Sequence, residues 1–174
     1  ETGDEVIIPT PYWVSYGDQV KMAEGVPVFV QAKEDNHFKV TVEQLEAART
    51  DKTKVLVLNS PSNPTGMIYS REELLAIGNW AVAHDVLILA DDIYGRLVYN
   101  GNEFVPISSL SEAIRKQTIV INGVSKAYAM TGWRVGYAVG NPEIIAAMSK
   151  LTGQTTSNLT ACLLYTSDAA DDMQ

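Results

Sequence analysis

The sequence predicts an α/β fold built on a mostly parallel, doubly wound sheet. Continuous apolar runs at residues 55–58, 86–90 and 118–122 are suited to parallel strands covered on both faces, and segments with helix signals separate such runs. Strands that alternate with helices form sheets of this kind, with ligands at the carboxyl ends of the strands. We therefore expect the functional residues to lie just after the strands.

The N-terminal part of the chain predicts a strand, a helix and a second strand. A short apolar run at residues 6–8 is closed by two prolines, which is typical of a buried strand that ends in a turn. A helix should follow from about Ser15 to Glu24, with Gly25 as the C′ residue beyond its end. Residues 26–30 are the next predicted strand.

Capping signals mark the remaining helices. Thr41-Val-Glu-Gln44 and Ser70-Arg-Glu-Glu73 are capping boxes, and they begin helices that continue to about residues 49 and 84. Asn141-Pro142-Glu143 begins another helix, which continues to about residue 151. Residues 135–139 form a further predicted strand, so the alternation of strands and helices extends over most of the chain.

One segment points to covalent chemistry. Residues 123–136 read Gly-Val-Ser-Lys-Ala-Tyr-Ala-Met-Thr-Gly-Trp-Arg-Val-Gly and hold Lys126 in a loop of small residues, with Arg134 eight positions later. A lysine amine attacks aldehydes when its surroundings lower its pKa, and pyridoxal phosphate (PLP) is the aldehyde cofactor that uses this reaction. The planar donors of an arginine fit a phosphate at two points, so Lys126 and Arg134 suit opposite ends of PLP.

The same segment resembles the lysine signature of class I and II aminotransferases, which are PLP enzymes of fold type I. Two more motifs of that family stand upstream in the family order, Asn-Ser-Pro-Ser-Asn-Pro-Thr-Gly at 59–66 and Ala-Asp-Asp-Ile-Tyr at 90–94. Overall similarity is greatest to the bacterial aspartate aminotransferase branch. The resemblance covers residues 1 to about 161 and implies a partial PLP-binding large domain, truncated at both ends.

The resemblance implies roles for the residues of the two upstream motifs. Asn63 would donate a hydrogen bond to the phenolic oxygen of PLP and lie near the substrate carboxylate, although turn formation also explains its proline-rich motif. Asp91 would pair with the protonated pyridine nitrogen, and Tyr94 would donate to the phenolic oxygen. Asp91 and Asp92 cannot both face one ligand, because successive strand residues point to opposite faces. A capping role is the alternative for Asp91.

Two further residues complete the set that the resemblance implies. Trp13 would stack on the pyridine ring with its indole N–H near a substrate carboxylate, and packing in the core is the alternative. Ser125 would bind the phosphate beside Arg134. Many family members carry serine or threonine where this chain has Gly123, which leaves one phosphate contact in doubt. The implied catalytic residues are Lys126, Asp91 and Tyr94.

The implied activity is PLP-dependent transamination, with aspartate as the amino donor and 2-oxoglutarate as the acceptor. A lyase or decarboxylase of the same fold remains an alternative, as does an aminotransferase-like sensor domain of a transcription regulator. The resemblance also implies a homodimer for the full-length protein. We expect residues 1–174 alone not to catalyse the reaction.

Charge and composition disfavour other classes of protein. The net charge of −8 without a long basic run argues against nucleic-acid and anionic-membrane partners. No apolar run approaches the ~18 residues that a membrane-spanning helix needs, no cluster of metal ligands stands out, and we expect a cytoplasmic location. Residues 162–174 resemble the translation of a sequencing adapter and are expected to be non-native; a natural acidic tail is the alternative.

Overall fold

A six-stranded sheet forms the centre of the structure, a computed structural model that describes residues 1–157 and Leu159. The segment 162–174 lies outside the described residues. The strand order is β2-β1-β3-β4-β5-β6. The strands are β1 (Glu5–Thr10), β2 (Val26–Gln31), β3 (Thr53–Asn59), β4 (Leu87–Asp91), β5 (Thr118–Gly123) and β6 (Gly136–Val139).

The first five strands run parallel, and β6 pairs with β5 in the antiparallel direction. The predicted α/β fold with a mostly parallel sheet is confirmed. The order reverses between β1 and β3, because β2 lies on one side of β1 and the later strands lie on the other. Such a switch point opens a crevice at the carboxyl ends of the strands, where ligands bind in folds of this class.

Within the described residues five α-helices connect or follow the strands, and both predicted capping boxes are present. In each box the cap side chain accepts from the third helical amide, and the glutamine or glutamate at that position reaches back to the cap amide. A short helix after a Ser111 cap was not predicted. The helices are α1 (Ser15–Met22), α2 (Val42–Ala48), α3 (Arg71–Ala83), α4 (Glu112–Lys116) and α5 (Pro142–Thr155).

The end of α1 corrects the prediction for Gly25. The left-handed residue beyond the helix is Glu24, with φ of 62°. The Gly25 amide donates to Val20 O at 2.9 Å and the Glu24 amide to Lys21 O at 3.0 Å. These two bonds form a Schellman motif in which the C′ residue is Glu24, one position before the predicted Gly25. Gly25 serves close packing instead, because a Cβ atom there would lie 3.1 Å from Val20 Cγ1 and 3.3 Å from Asp4 O.

The central strands β3 and β4 pack into a core on each face of the sheet, as their continuous apolar runs predict, whereas most of β6 and half of β2 are exposed. The larger core lies under α2, α3 and α4 and contains Leu56, Leu58 and Ile88. The smaller core lies under α1 and contains Val57 with the partly buried Leu89. Because neighbouring strand residues point to opposite faces, each core takes every second residue of β3 and β4. Among the described residues, no helix is long and apolar enough to cross a membrane.

Candidate cofactor site

A cavity of about 310 Å³ lies at the carboxyl-end edge of the sheet. All seven residues that the sequence nominates for the site line this cavity: Trp13, Asn63, Asp91, Tyr94, Ser125, Lys126 and Arg134. They come from the segments that follow β1, β3, β4 and β5, except for Asp91, which is the last residue of β4. The parallel sheet is what brings them together, since the carboxyl ends of its strands share one edge.

Two hydrogen bonds hold the Asp91 carboxylate. The Tyr16 hydroxyl donates to Oδ2 at 2.5 Å, and the Ile93 amide donates to Oδ1 at 3.2 Å. Tyr16 belongs to α1, which covers the face of the sheet to which Asp91 points. Burial raises the pKa of Tyr16, and the negative charge of Asp91 raises it further. The phenol therefore keeps its proton and acts as a donor.

Asp92 points away from this cavity, in agreement with strand alternation. Its side chain is 7% exposed and lines a separate cavity of about 520 Å³. Burial is the main cause that raises the pKa of Asp92 to about 7, and repulsion from Asp91 adds to it. Of the two neighbouring carboxylates, only Asp91 faces Lys126 across the cavity.

Asn63, Tyr94 and Lys126 converge in the middle of the site. Asn63 Nδ2 lies 3.4 Å from the Tyr94 hydroxyl oxygen, the long limit of a hydrogen bond. Lys126 Nζ lies 5.9 Å from the centre of the Tyr94 ring. An amide donor, a phenol and an amine therefore face the same space from three different loops.

The loop that carries Lys126 closes on itself and presents Arg134 on the same side. The Val124 amide donates to Val135 O at 3.2 Å. Arg134 has a left-handed backbone with φ of 53° at the end of a single 3₁₀ turn. Within residues 1–157, neither Lys126 nor Arg134 forms an ion pair with a carboxylate. Both cations are therefore available to an anionic ligand.

Thr131 braces this loop internally. Its hydroxyl donates to Ser125 O at 3.0 Å, and its carbonyl accepts from Arg134 Nη1 at 3.1 Å. The two predicted phosphate-binding residues are thus tied to one threonine, which itself lines the cavity.

The close packing around Gly123 explains why this position, three residues before Lys126, carries no hydroxyl side chain. A Cβ atom at this position would lie 2.7 Å from Val135 O and 3.2 Å from Ile93 Cδ1. The first distance is shorter than real Cβ contacts, so serine or threonine would force the two backbone segments apart.

Trp13 lies at the rim of the cavity and is not a core residue. It is 43% exposed, and its ring meets Tyr16 edge-on, with centroids 5.5 Å apart and an interplanar angle of 84°. Because the indole lines the cavity and is partly exposed, it can contact a flat ligand there.

Several residues that line or support the site were not predicted from the sequence, among them Tyr16 and Asn59. Tyr16 stands three positions after Trp13, a spacing that places two side chains on one side of a helical turn, and this was the available signal. Asn59 donates to Asp91 O and accepts from the Asn63 amide. The sequence offered no comparable signal for Asn59, because both contacts depend on how β3 and β4 are paired.

The chemistry of these side chains fits PLP. An amine, a guanidinium and a hydroxyl from the β5 loop suit an aldehyde and a phosphate, and the carboxylate of Asp91 suits a protonated ring nitrogen. The cavity volume falls within the range of ~300 to 1,000 Å³ that is usual for small-molecule sites. Among the described residues, no group of three or more metal-binding side chains offers an alternative metal site.

Comparison with known proteins defines the family. The family model "Aminotransferase class I and II" matches residues 1–174. The chain therefore belongs to the class I and II aminotransferases. This result agrees with the three sequence motifs and with the fold described above.

The relatives are bacterial aminotransferases. Asparagine–oxo-acid transaminase of Streptococcus mutans is 75% identical over 162 residues, which cover 93% of this chain and 41% of that protein. Aspartate aminotransferase of Geobacillus stearothermophilus is 56% identical over 170 residues, which cover 98% of this chain and 43% of that protein. The chain thus spans about two fifths of the length of these relatives.

Solved structures show the same fold. Aspartate aminotransferase from Thermus thermophilus with maleate has a TM-score of 0.86 and 43% identity, and the match covers 91% of this chain and 41% of that one. Aromatic aminotransferase from Pyrococcus horikoshii has a TM-score of 0.88 and 38% identity, with coverage of 90% and 42%.

Proposed function

We propose that the protein containing this chain is a PLP-dependent transaminase, which moves an amino group from an amino acid to a 2-oxo acid. The observation that carries the proposal is the cavity that brings Lys126 together with Asp91, Tyr94, Asn63 and Arg134. A structural lysine would have no reason to share a cavity with both a carboxylate held by two hydrogen bonds and an arginine that has no carboxylate partner within residues 1–157. Membership of the aminotransferase family supports the same conclusion.

The binding roles follow the charges of the side chains. Arg134 and Ser125 would hold the phosphate, and Asp91 would keep the ring nitrogen protonated through a charge-assisted hydrogen bond. Tyr94 and Asn63 would donate to the phenolic oxygen, since they meet at one place in the cavity. Trp13 would cover one face of the ring and direct its indole N–H toward a substrate carboxylate.

Lys126 would perform the proton transfer. Bound PLP supplies an electron-withdrawing ring that stabilises negative charge at the substrate Cα. The Lys126 amine would take the Cα proton as a general base and return a proton as a general acid. The Asp91 carboxylate, held by the Tyr16 hydroxyl and the Ile93 amide, would fix the charge on the ring nitrogen during this transfer.

Two amino donors deserve direct comparison. Aspartate, with 2-oxoglutarate as the acceptor, is the donor favoured by the sequence, and the Geobacillus relative is named an aspartate aminotransferase. The Streptococcus relative, at 75% identity, is named an asparagine–oxo-acid transaminase. We therefore propose asparagine as the second candidate donor. The aspartate side chain is charged and the asparagine side chain is neutral. The ratio of the kcat/KM values for the two donors therefore reports the electrostatics of the pocket that binds the substrate side chain.

The test uses the full-length protein with added PLP. Formation of glutamate from 2-oxoglutarate is followed with aspartate or asparagine as the donor, beside the Lys126→Arg variant. Arginine keeps the positive charge but stays protonated, so it cannot serve as the base. We expect turnover with one of the two donors and its loss in the variant. Undiminished turnover in Lys126→Arg, or production of ammonia or CO2 without amino transfer, would contradict the proposal.

A homodimer in the cytoplasm completes the proposal. Light scattering of the full-length protein checks the oligomeric state, and fractionation of the source cells checks the location.

A further inference from the structure

We propose that Asn59 is a positioning residue that locks the Asn63 loop to the end of β4, and so sets the distance between Asn63 and Asp91. The inference rests on the proposed function, because Asn63 and Asp91 are the residues assigned to the phenolic oxygen and to the ring nitrogen of PLP. Asn59 is the last residue of β3 and lies opposite Asp91 in the parallel pairing of β3 with β4.

The Asn59 side chain bridges two backbones. Its Nδ2 donates to Asp91 O at 2.9 Å, and its Oδ1 accepts from the Asn63 amide at 2.7 Å. Both partners have fixed polarity, since a carbonyl only accepts and an amide N–H only donates. The orientation of the Asn59 amide group is therefore determined by its surroundings.

Only a neutral amide satisfies both contacts. Aspartate would keep an acceptor for Asn63 but would set a second oxygen against the Asp91 carbonyl. Leucine has a similar shape and satisfies neither partner. Both losses matter, because a polar backbone group deprived of its partner costs free energy when it is partly buried.

The neighbouring residue faces the other way. Ser60 is 5% exposed, and its hydroxyl accepts from the Tyr69 amide at 3.2 Å. Tyr69 belongs to the larger core, away from the cofactor cavity. Ser60→Ala therefore removes a side-chain hydrogen bond from the same turn without touching the bridge, and serves as a matched control.

The bridge acts on the site through two short paths. By fixing the Asn63 backbone, the bridge fixes the position of the Asn63 side chain, whose Nδ2 lies 3.4 Å from the Tyr94 hydroxyl. By fixing the Asp91 backbone, the bridge also fixes the position of the carboxylate that accepts from the Tyr16 hydroxyl. Loss of the bridge leaves β3 and β4 paired but frees the turn between Asn59 and Gly66 to move relative to Asp91.

The first experiment needs no cofactor. Hydrogen exchange of individual amides is measured in the PLP-free full-length protein for wild type, Asn59→Leu, Asn59→Asp and Ser60→Ala. We expect the Asn63 amide to exchange at least about tenfold faster in Asn59→Leu, and to stay protected in Asn59→Asp, which keeps the acceptor, and in Ser60→Ala. Unchanged exchange in Asn59→Leu overturns the inference whatever the protein catalyses.

The second experiment tests the effect on the site. PLP affinity and the pH midpoint of the bound cofactor's absorbance are measured for Asn59→Leu, Asn63→Ala and the double variant. A phenolic oxygen that loses a donor holds its proton to higher pH, so we expect both single variants to raise the midpoint and Asn59→Leu to weaken PLP binding about tenfold.

The double variant decides how Asn59 acts. If Asn59 works through Asn63, adding Asn59→Leu to Asn63→Ala moves the midpoint no further, because coupled residues are not additive. Full additivity, or a lower melting temperature with an unchanged midpoint, overturns the inference. A wild-type protein that binds no PLP refutes the proposed function instead, and the exchange experiment still tests the bridge.

Discussion

The Tyr16 hydroxyl donates a 2.5 Å hydrogen bond to Asp91 Oδ2, although 75 residues separate the two along the chain. Tyr16 is 7% exposed, and its pKa is raised by burial and by the charge of Asp91. The carboxylate thus has a permanent neutral donor on the side of α1. One partner of the proposed ring-nitrogen contact is therefore oriented before any ligand arrives.

We predict that Tyr16→Phe lowers kcat/KM of the full-length enzyme by about tenfold, which is the scale of a hydrogen bond to a charged group. Phenylalanine keeps the edge contact with Trp13, so the fold should persist. Steady-state kinetics and the absorbance of bound PLP against pH provide the measurement.

Tyr69→Phe is the matched control for this prediction. It also removes a buried tyrosine hydroxyl, one that accepts from the Val40 amide in the larger core. This variant should lose stability and keep the absorbance profile of the wild type. Identical profiles for Tyr16→Phe and the wild type would show that the hydroxyl does not act on the cofactor.

The two neighbouring aspartates should respond differently to the same substitution. We predict that Asp91→Asn lowers kcat by orders of magnitude while PLP stays bound, because the phosphate and lysine anchors survive. Asp92→Asn should change kcat far less, since Asp92 lines the separate cavity. Turnover numbers and the amount of PLP retained after gel filtration check both statements, and equal losses would count against the assignment of Asp91.

Covalent attachment should be found at Lys126. With PLP, the full-length protein is expected to show a visible absorbance band that sodium borohydride removes, leaving the cofactor bound to Lys126 through a secondary amine. Peptide mapping by mass spectrometry locates the modified residue. Lys126→Arg should show neither the band nor the adduct, and an adduct on a different lysine would falsify the assignment.

Sequence patterns predicted the main strands and four of the five helices because their signals are local. Capping boxes begin α2 and α3, and the apolar runs of β3 and β4 are buried on both faces as expected. The direction of β6 was not specified, because a four-residue strand carries no signal for its pairing partner. Helix α4 was missed because five residues are too few to show a periodic pattern.

The site was predictable to the extent that its residues lie within motifs. Six of the predicted residues come from the three motifs, and all six line one cavity together with Trp13, which the resemblance added. The residues that support them were not predictable in the same way, because their contacts are set by packing. Tyr16 reaches Asp91 only because α1 covers the face under β4, and Asn59 reaches Asp91 only because of the strand register.

Asp92 makes the free energy of unfolding depend on pH. Its pKa is raised to about 7 by burial, whereas an aspartate in an unfolded chain has a pKa of about 3.9. Between these values the folded state binds a proton that the unfolded state does not. The free energy of unfolding therefore falls as pH rises through the window from about 4 to 7, and it stays lower above this window.

We predict that Asp92→Asn stabilises the protein at pH 8 and has little effect at about pH 3.5, where Asp92 is mostly protonated in both the folded and the unfolded state and resembles asparagine. The gain at pH 8 is at most about 4 kcal/mol, since each pKa unit corresponds to ~1.4 kcal/mol. Melting temperatures of wild type and variant, measured across this range, give the difference directly, and contributions from other carboxylates cancel in it. Asp35→Asn, at an exposed aspartate, makes the same change in charge and serves as the matched control. A constant difference for Asp92→Asn would mean that the buried carboxylate ionises normally, and that water or a neighbouring group compensates its burial.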